Sequence, residues 1–295
     1  MATFTATPAN WTNSSDANFR AWGSYLAARM EAVGIIKTAD TGQIDWTTVT
    51  TPAGVNTYQG YEIRRFTDAL QASAPVYLKI QFGEGAGVDG PGIRVQIGSG
   101  SDGAGNLTGN VSTARDAETI TNAAACIVVG SGDTNRFSFA GGFLAASVRG
   151  MCFSIERMKD SNGDDTIEGV MWTAHTSAAA ASTGGAMQCT LWNPSLGDYG
   201  LVETNLMALF PTGSTMKTVT QTMVSPCFHN KGVWTNPQVG VVGYYTADIA
   251  PNATFVAYMY GATHTYYALP DTAFATGAAF QGPGGGTEAA AIRYE

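Results

Sequence analysis

Two short runs constrain the fold more than any other feature. In residues 76–82 (VYLKIQF), Val76, Leu78, Ile80 and Phe82 alternate with Tyr77, Lys79 and Gln81. In residues 93–97 (IRVQI), Ile93, Val95 and Ile97 alternate with Arg94 and Gln96. A strand turns successive side chains to opposite faces, so this period of two specifies strands with one buried face. The intervening GEGAGVDGPG is a Gly-rich connection, expected to close a long hairpin. Residues 61–66 are expected to form the preceding strand, and residues 67–74 a short helical or turn link. Further on, residues 150–157 and 167–175 flank KDSNGDD, which predicts a hairpin with a polar turn. Residues 177–185 (SAAAASTGG) read as a small-residue loop, residues 187–192 as a strand and residues 201–210 as a short helix. Residues 239–245 and 255–260 supply more strands, and residues 265–269 are expected to hairpin back over GATH. The tail is a Gly-rich segment with a short strand-like end.

One helix stands out. In residues 13–34, Phe19, Trp22, Leu26, Met30 and Val33 recur at three- and four-residue steps. Ser14, Ser15 or Asp16 can cap its start, and Gly34 suits its C-terminal cap. The stripe either packs on the chain's own sheet or docks on a neighbouring subunit. Strands separated by turn residues, with no regular alternation with long helices, argue against a parallel α/β fold. The expected architecture is mainly β: an antiparallel β-sandwich or barrel-like body bearing an N-terminal α-helix and extended arm. The expected division is residues 1–34 as arm and helix and 35–295 as β-rich body, with a possible sub-division near 177–186.

Composition narrows the function classes. Charged residues are 13% of the chain, about half the usual share, and hydrophobic residues are 44%. The apolar content excludes a disordered acidic tail, and the net charge of −8 lacks the basic face of a nucleic-acid binder. The first sixteen residues (MATFTATPANWTNSSD) carry no basic residue and no apolar core of a secretory signal. No apolar run approaches the ~18 residues of a membrane span. Cys126, Cys152, Cys189 and Cys227 are far apart and sit in apolar contexts, as buried thiols of a reducing cytoplasm do.

Gly98, Gly100 and Gly103 satisfy G-x-G-x-x-G, but AGNLTGN follows and opens no helix, so a turn is expected. Asp160, Asn162 and Asp164 imitate the start of a calcium loop. The pattern then fails at Asp165, where a glycine is needed, and at Met171, where a bidentate glutamate is needed. His175, His229 and His264 lie in no nucleophile-elbow or zincin motif. No catalytic residue, cofactor or metal site is therefore expected. Six tryptophans (Trp11, Trp22, Trp46, Trp172, Trp192 and Trp234) read as core or interface anchors, with a sugar-stacking platform as the alternative.

Three segments carry a family resemblance: FRAWGSYLAARMEAVGIIKTADTGQIDWTTV, GYEIRRFTDALQASAPVYLKIQFGEG and PGIRVQIGSGSDGAGNLTG, within residues 19–109. Together they resemble a family of virion structural proteins of tailed double-stranded DNA bacteriophages. The resemblance implies a non-enzymatic component of the tail, neck or collar, baseplate or head decoration. It implies assembly in the host bacterial cytoplasm, with copies of itself and other virion proteins as partners and neither membrane nor sequence-specific nucleic acid. It carries over no active-site residues. The expected self-interface is Trp11, Phe19 and Trp22 on the arm and helix, with Tyr258, Tyr260, Tyr266 and Tyr267 on a C-terminal hairpin. The rival readings are a host-surface or carbohydrate-binding appendage and, more remotely, an enzyme acting on host polysaccharide.

Overall fold

Helix α1 (Asp16–Val33) shows how local chemistry delivers aromatic rings to the core. The Ser15 backbone is extended and its hydroxyl accepts the Asn18 N–H, satisfying one donor that the first turn leaves open. At the other end Gly34 adopts φ 95°, and its N–H returns to the carbonyls of the last turn. Between these caps, Phe19, Trp22, Leu26, Met30 and Val33 are all buried. Phe19 meets Trp22 edge-on at 5.6 Å, Trp22 lies 6.1 Å from Phe82, and Trp46 meets Phe82 edge-on at 4.8 Å. The stripe therefore packs on the chain's own sheet. Phe19 and Trp22, expected at an interface with a neighbour, are corrected to core residues with no surface to offer.

The computed structural model describes residues 2–6, 14–54, 56–84, 91–118, 126–143, 151–160, 162–174, 187–203, 222–224, 228–230, 233–235, 241–245, 253–259, 262–268 and 288–294. A five-stranded antiparallel sheet runs in the order Ile36–Lys37, Thr57–Arg65, Tyr77–Glu84, Pro91–Gly98, Arg115–Glu118. Its register places Leu78 opposite Ile97, Ile80 opposite Val95 and Phe82 opposite Ile93, so the alternating runs line up on one buried face. The expected short link after Arg65 is a single 3-10 turn, Ala69–Ala72.

A seven-stranded antiparallel sheet follows. Its strands Cys126–Asp133, Arg136–Phe143, Met151–Lys159, Asp165–Ala174, Met187–Asn193 and Gly197–Glu203 form a meander, and the N-terminal strand Ala2–Ala6 pairs on its first edge. The expected helix over 201–210 is overturned where it can be seen: Leu201–Glu203 ends the last strand of this meander. From this sheet Phe4, Phe137, Phe139, Phe153, Ile155 and Trp192 join the same hydrophobic cluster as the helix and the five-stranded sheet. Two sheets thus close on one core, with α1 packed along it. The protein is mainly β, with antiparallel sheets and one N-terminal helix, as the alternation predicts.

A second five-stranded sheet orders Thr222–Val224, Val241–Tyr245, Glu288–Arg293, Ala262–Ala268 and Thr254–Met259. Its central strand, Glu288–Arg293, lies against the Cys126–Asp133 and Arg136–Phe143 strands. Ser131 Oγ donates to the Arg293 carbonyl across this contact. Ser131, Ser138, Ser154 and Glu156 are all buried, on strands whose alternate residues fill the hydrophobic core.

The helix–sheet joint makes a sharp prediction at Gly23. Replacing a mid-helix glycine with alanine ordinarily favours a helix by about 1 kcal/mol. Here a Cβ would stand 2.0 Å from the Trp46 ring, which Phe19, Phe82 and a hydrogen bond to Glu62 hold in place. Gly23→Ala is expected to lower stability by about 1–3 kcal/mol in urea denaturation. A stabilised variant would show that the ring is free to move.

Candidate functional site

The most chemically distinctive place lies at the rim of the joint between the seven-stranded sheet and the C-terminal strand. A cavity of about 220 Å³ opens there. Four cationic side chains line it: Arg136, Arg157, Lys159 and Arg293. Asp133, Glu156 and Asp165 line it as well, with the Asn135 amide. Adjacent antiparallel strands bring these groups together, because Arg136 pairs across the ladder with both Asp133 and Glu156, and Lys159 with Asp165.

Each charge is positioned by named partners. Lys159 Nζ and the Asn135 amide both bind the Asp165 carboxylate. Arg136 donates to Ser131 Oγ at 3.1 Å. Arg157 is fully buried and forms a two-pronged pair with Asp68, from Nε to Oδ2 and from Nη2 to Oδ1. Its Nη2 also reaches the Ala74 carbonyl at 2.9 Å. This pair ties the seven-stranded sheet to the turn that precedes the Tyr77–Glu84 strand. Burial pulls the Arg136 guanidinium down to about 10, with Arg293 adding to the shift and Glu156 opposing it. Burial pushes the Tyr266 phenol far up, and the neighbouring Glu156 charge adds to that.

A second charge network is closed and structural. Glu62 accepts from Trp46 Nε1 and Arg64 Nε and pairs with Lys37, while Arg64 Nη1 reaches Glu31 and the Ile35 carbonyl. It fastens the end of α1 to the five-stranded sheet. A third network is a loop clamp. Asp40 receives the hydroxyls of Thr38 and Ser101 and the Gly105 N–H. Burial works against its ionisation, but these hydrogen bonds outweigh that and hold its carboxyl below the usual range.

The sequence motifs resolve as turns. Asp102 accepts the N–H groups of Ala104 and Asn106 and the Asn106 amide, so GSGSDG caps a two-stranded hairpin and opens no helix. Asp160 accepts from Asn162 and Asp164 in the polar turn. Among the described residues no group of three or more His, Cys, Asp or Glu could hold a metal ion. His229 lies on the Phe228–Asn230 strand and His264 is buried on Ala262–Ala268, while His175 lies outside the described residues. Trp22 and Trp192 are interior, and Trp192 Nε1 donates to the Asn110 carbonyl.

The seven expected interface residues do not form one patch. Phe19 and Trp22 are in the core. Tyr266 is also interior, stacked on Phe255 at 5.6 Å and facing the charged layer, which corrects its expected surface role. Tyr267 is half-buried 6.4 Å from Tyr294. Tyr258 lies on the Thr254–Met259 strand, and Trp11 and Tyr260 lie outside the described residues. Sequence reasoning missed the charged cavity. The polar series Arg136, Ser138, Ser154 and Glu156 alternates with the buried Phe137, Phe139, Phe153 and Ile155 as it would on a face open to water, so no local signal marked it. Comparison with family models, curated proteins and solved structures returned no match.

The pH dependence of this joint follows from two opposed groups. The raised Tyr266 phenol stays protonated in the folded chain while unfolded chains ionise above about pH 10, so it removes stability as pH rises. Arg136 does the reverse, since the folded chain gives up its proton near 10 and the unfolded chain holds it longer. Tyr266→Phe isolates the first contribution. Its stability relative to the parent should rise between about pH 9 and 11, read by urea denaturation. A pH-independent difference would mean that the phenol titrates as if in water.

Proposed function

We propose that the chain is a non-enzymatic structural protein of a tailed-bacteriophage virion that assembles as a symmetric homo-oligomer. Its place is the tail, neck or collar, baseplate or head decoration, and it assembles in the host bacterial cytoplasm. The resemblance over residues 19–109 motivates the reading. The observation that carries it is the edge strand Thr254–Met259. Among the described residues it is hydrogen-bonded on one side only, to Ala262–Ala268. Its sequence, TFVAYM, has no charge and no proline, and Val256 is 55% exposed. A monomer that must stay monomeric blunts such an edge with charge, proline or a bulge. An unprotected edge suits a chain whose edge is covered by another copy, and symmetry would repeat that contact around a closed ring.

The apolar tip around Leu196 supports the same reading. Leu196 is 70% exposed, and its turn is fixed to the loop bearing Val111. Asn110 binds the Pro194 carbonyl, and the Thr113 N–H binds Asp198. A rigidly held, exposed apolar turn is a contact waiting for a neighbour.

Light scattering on the full chain is expected to give a defined multiple of 30.8 kDa. Val256→Lys should weaken that association at least tenfold while leaving the melting temperature of the protomer unchanged. A monomer at every concentration, with and without the substitution, would refute self-assembly.

A further inference from the structure

We infer that the charged cavity is a binding site for a small oxyanion, a phosphate-like or carboxylate ion, with Arg157 as its buried anchor. Arg157 borders the cavity and is fully buried, yet only part of its guanidinium is used. Nε and Nη2 are committed to Asp68 and the Ala74 carbonyl, while Nη1 has no hydrogen-bond partner. A buried guanidinium nitrogen without an acceptor is rare in folded proteins, and where one borders a cavity an acceptor fits there.

The surrounding charges favour an oxyanion over water alone. The lining carries four cations and three carboxylates, and Asp68 balances Arg157 from outside it, so the case rests on where the donors are placed and not on net charge. Asp165 is already bound by Lys159 and Asn135, so its charge repels an incoming anion less than a bare carboxylate would. Arg293 lies close enough to disfavour the charge on buried Arg136, which Glu156 and Asp133 offset only in part. A water molecule would satisfy Nη1 but leave that repulsion in place, whereas an anion answers both. Asp68 neutralises Arg157 from its other side, so Nη1 supplies directed donors and Arg136, Arg293 and Lys159 supply the attraction. The volume of about 220 Å³ accommodates a phosphate or acetate ion with waters beside it. This inference does not depend on the assembly proposed above.

The test titrates the full-length protein, in Tris buffer at neutral pH, with sodium phosphate and separately with sodium acetate. Sodium chloride holds the ionic strength constant. Calorimetry should show one-to-one binding of at least one oxyanion, with a saturable rise in melting temperature. Lys159→Gln should weaken the affinity at least threefold. Arg157→Lys keeps a charge opposite Asp68 but removes Nη1, and should weaken it at least tenfold. If Arg157→Lys fails to melt cooperatively, Lys159→Gln decides. Binding of phosphate alone would identify a tetrahedral ion, and binding of acetate a carboxylate. No saturable response to either ion, or an undiminished response in the variants, would overturn the site and leave a water-filled cavity.

Discussion

The structure depends on a seven-stranded sheet that is buried on both faces by unlike partners. One face presents Phe137, Phe139, Phe153 and Ile155 to the shared hydrophobic core. The other carries the buried Ser131, Ser138, Ser154, Glu156 and Arg136, and the Glu288–Arg293 strand lies against its Cys126–Asp133 and Arg136–Phe143 strands. Burying the first face is favourable on its own, through removal of apolar area from water. Burying the second is tolerable only if each polar group finds a partner, because an unpaired buried group costs more than a hydrogen bond returns. The Ser138–Ser154 hydroxyl pair and the contacts of Ser131 with Arg136 and the Arg293 carbonyl meet that condition for the three serines. Among the described residues, the hydrogen bond from Ser131 to the Arg293 carbonyl joins the C-terminal sheet to the body.

Arg157 stands where the two kinds of layer meet. Its pair with Asp68 reaches across to the turn that introduces the Tyr77–Glu84 strand, and its guanidinium lies over the Phe66 ring at 5.7 Å. The same side chain borders the charged cavity. One arginine therefore couples the positions of both principal sheets to the rim of the polar joint. Breaking a buried pair of this kind leaves a stranded charge, so its removal should be felt in both layers.

Much of this was legible in the sequence. The alternating runs at 76–82 and 93–97 specified strands and the buried face of each, and Phe19, Trp22, Leu26, Met30 and Val33 specified the helix face. The turn reading of Asp102 and Asp160 followed from side chains that bond their own backbone. What was not legible depended on tertiary cover. An alternating strand looks the same whether its polar face meets water or another sheet, so Ser138 and Glu156 gave no sign of burial. For the same reason Tyr266 could be expected at a surface, although its ring lies against Phe255 under the charged layer. The pairing of Arg157 with Asp68 spans 89 residues and no local spacing announces it. The segment at 201–203 reads as helix by its apolar content, but its pairing with Gln188–Thr190 makes it a strand.

The measurement that bears most directly on the two-faced sheet is thiol labelling of Ser154→Cys in the full-length protein, followed by peptide mapping to separate it from the native cysteines. Ser154 is fully buried on the polar face, whereas Thr47 is exposed on a loop and serves as the reference when replaced by cysteine. Burial of the polar face predicts that Cys at 154 reacts with maleimide only in denaturant, while Cys at 47 reacts at once. Labelling of position 154 in the native protein at the rate of position 47 would contradict the account, because the polar face would then be open to water.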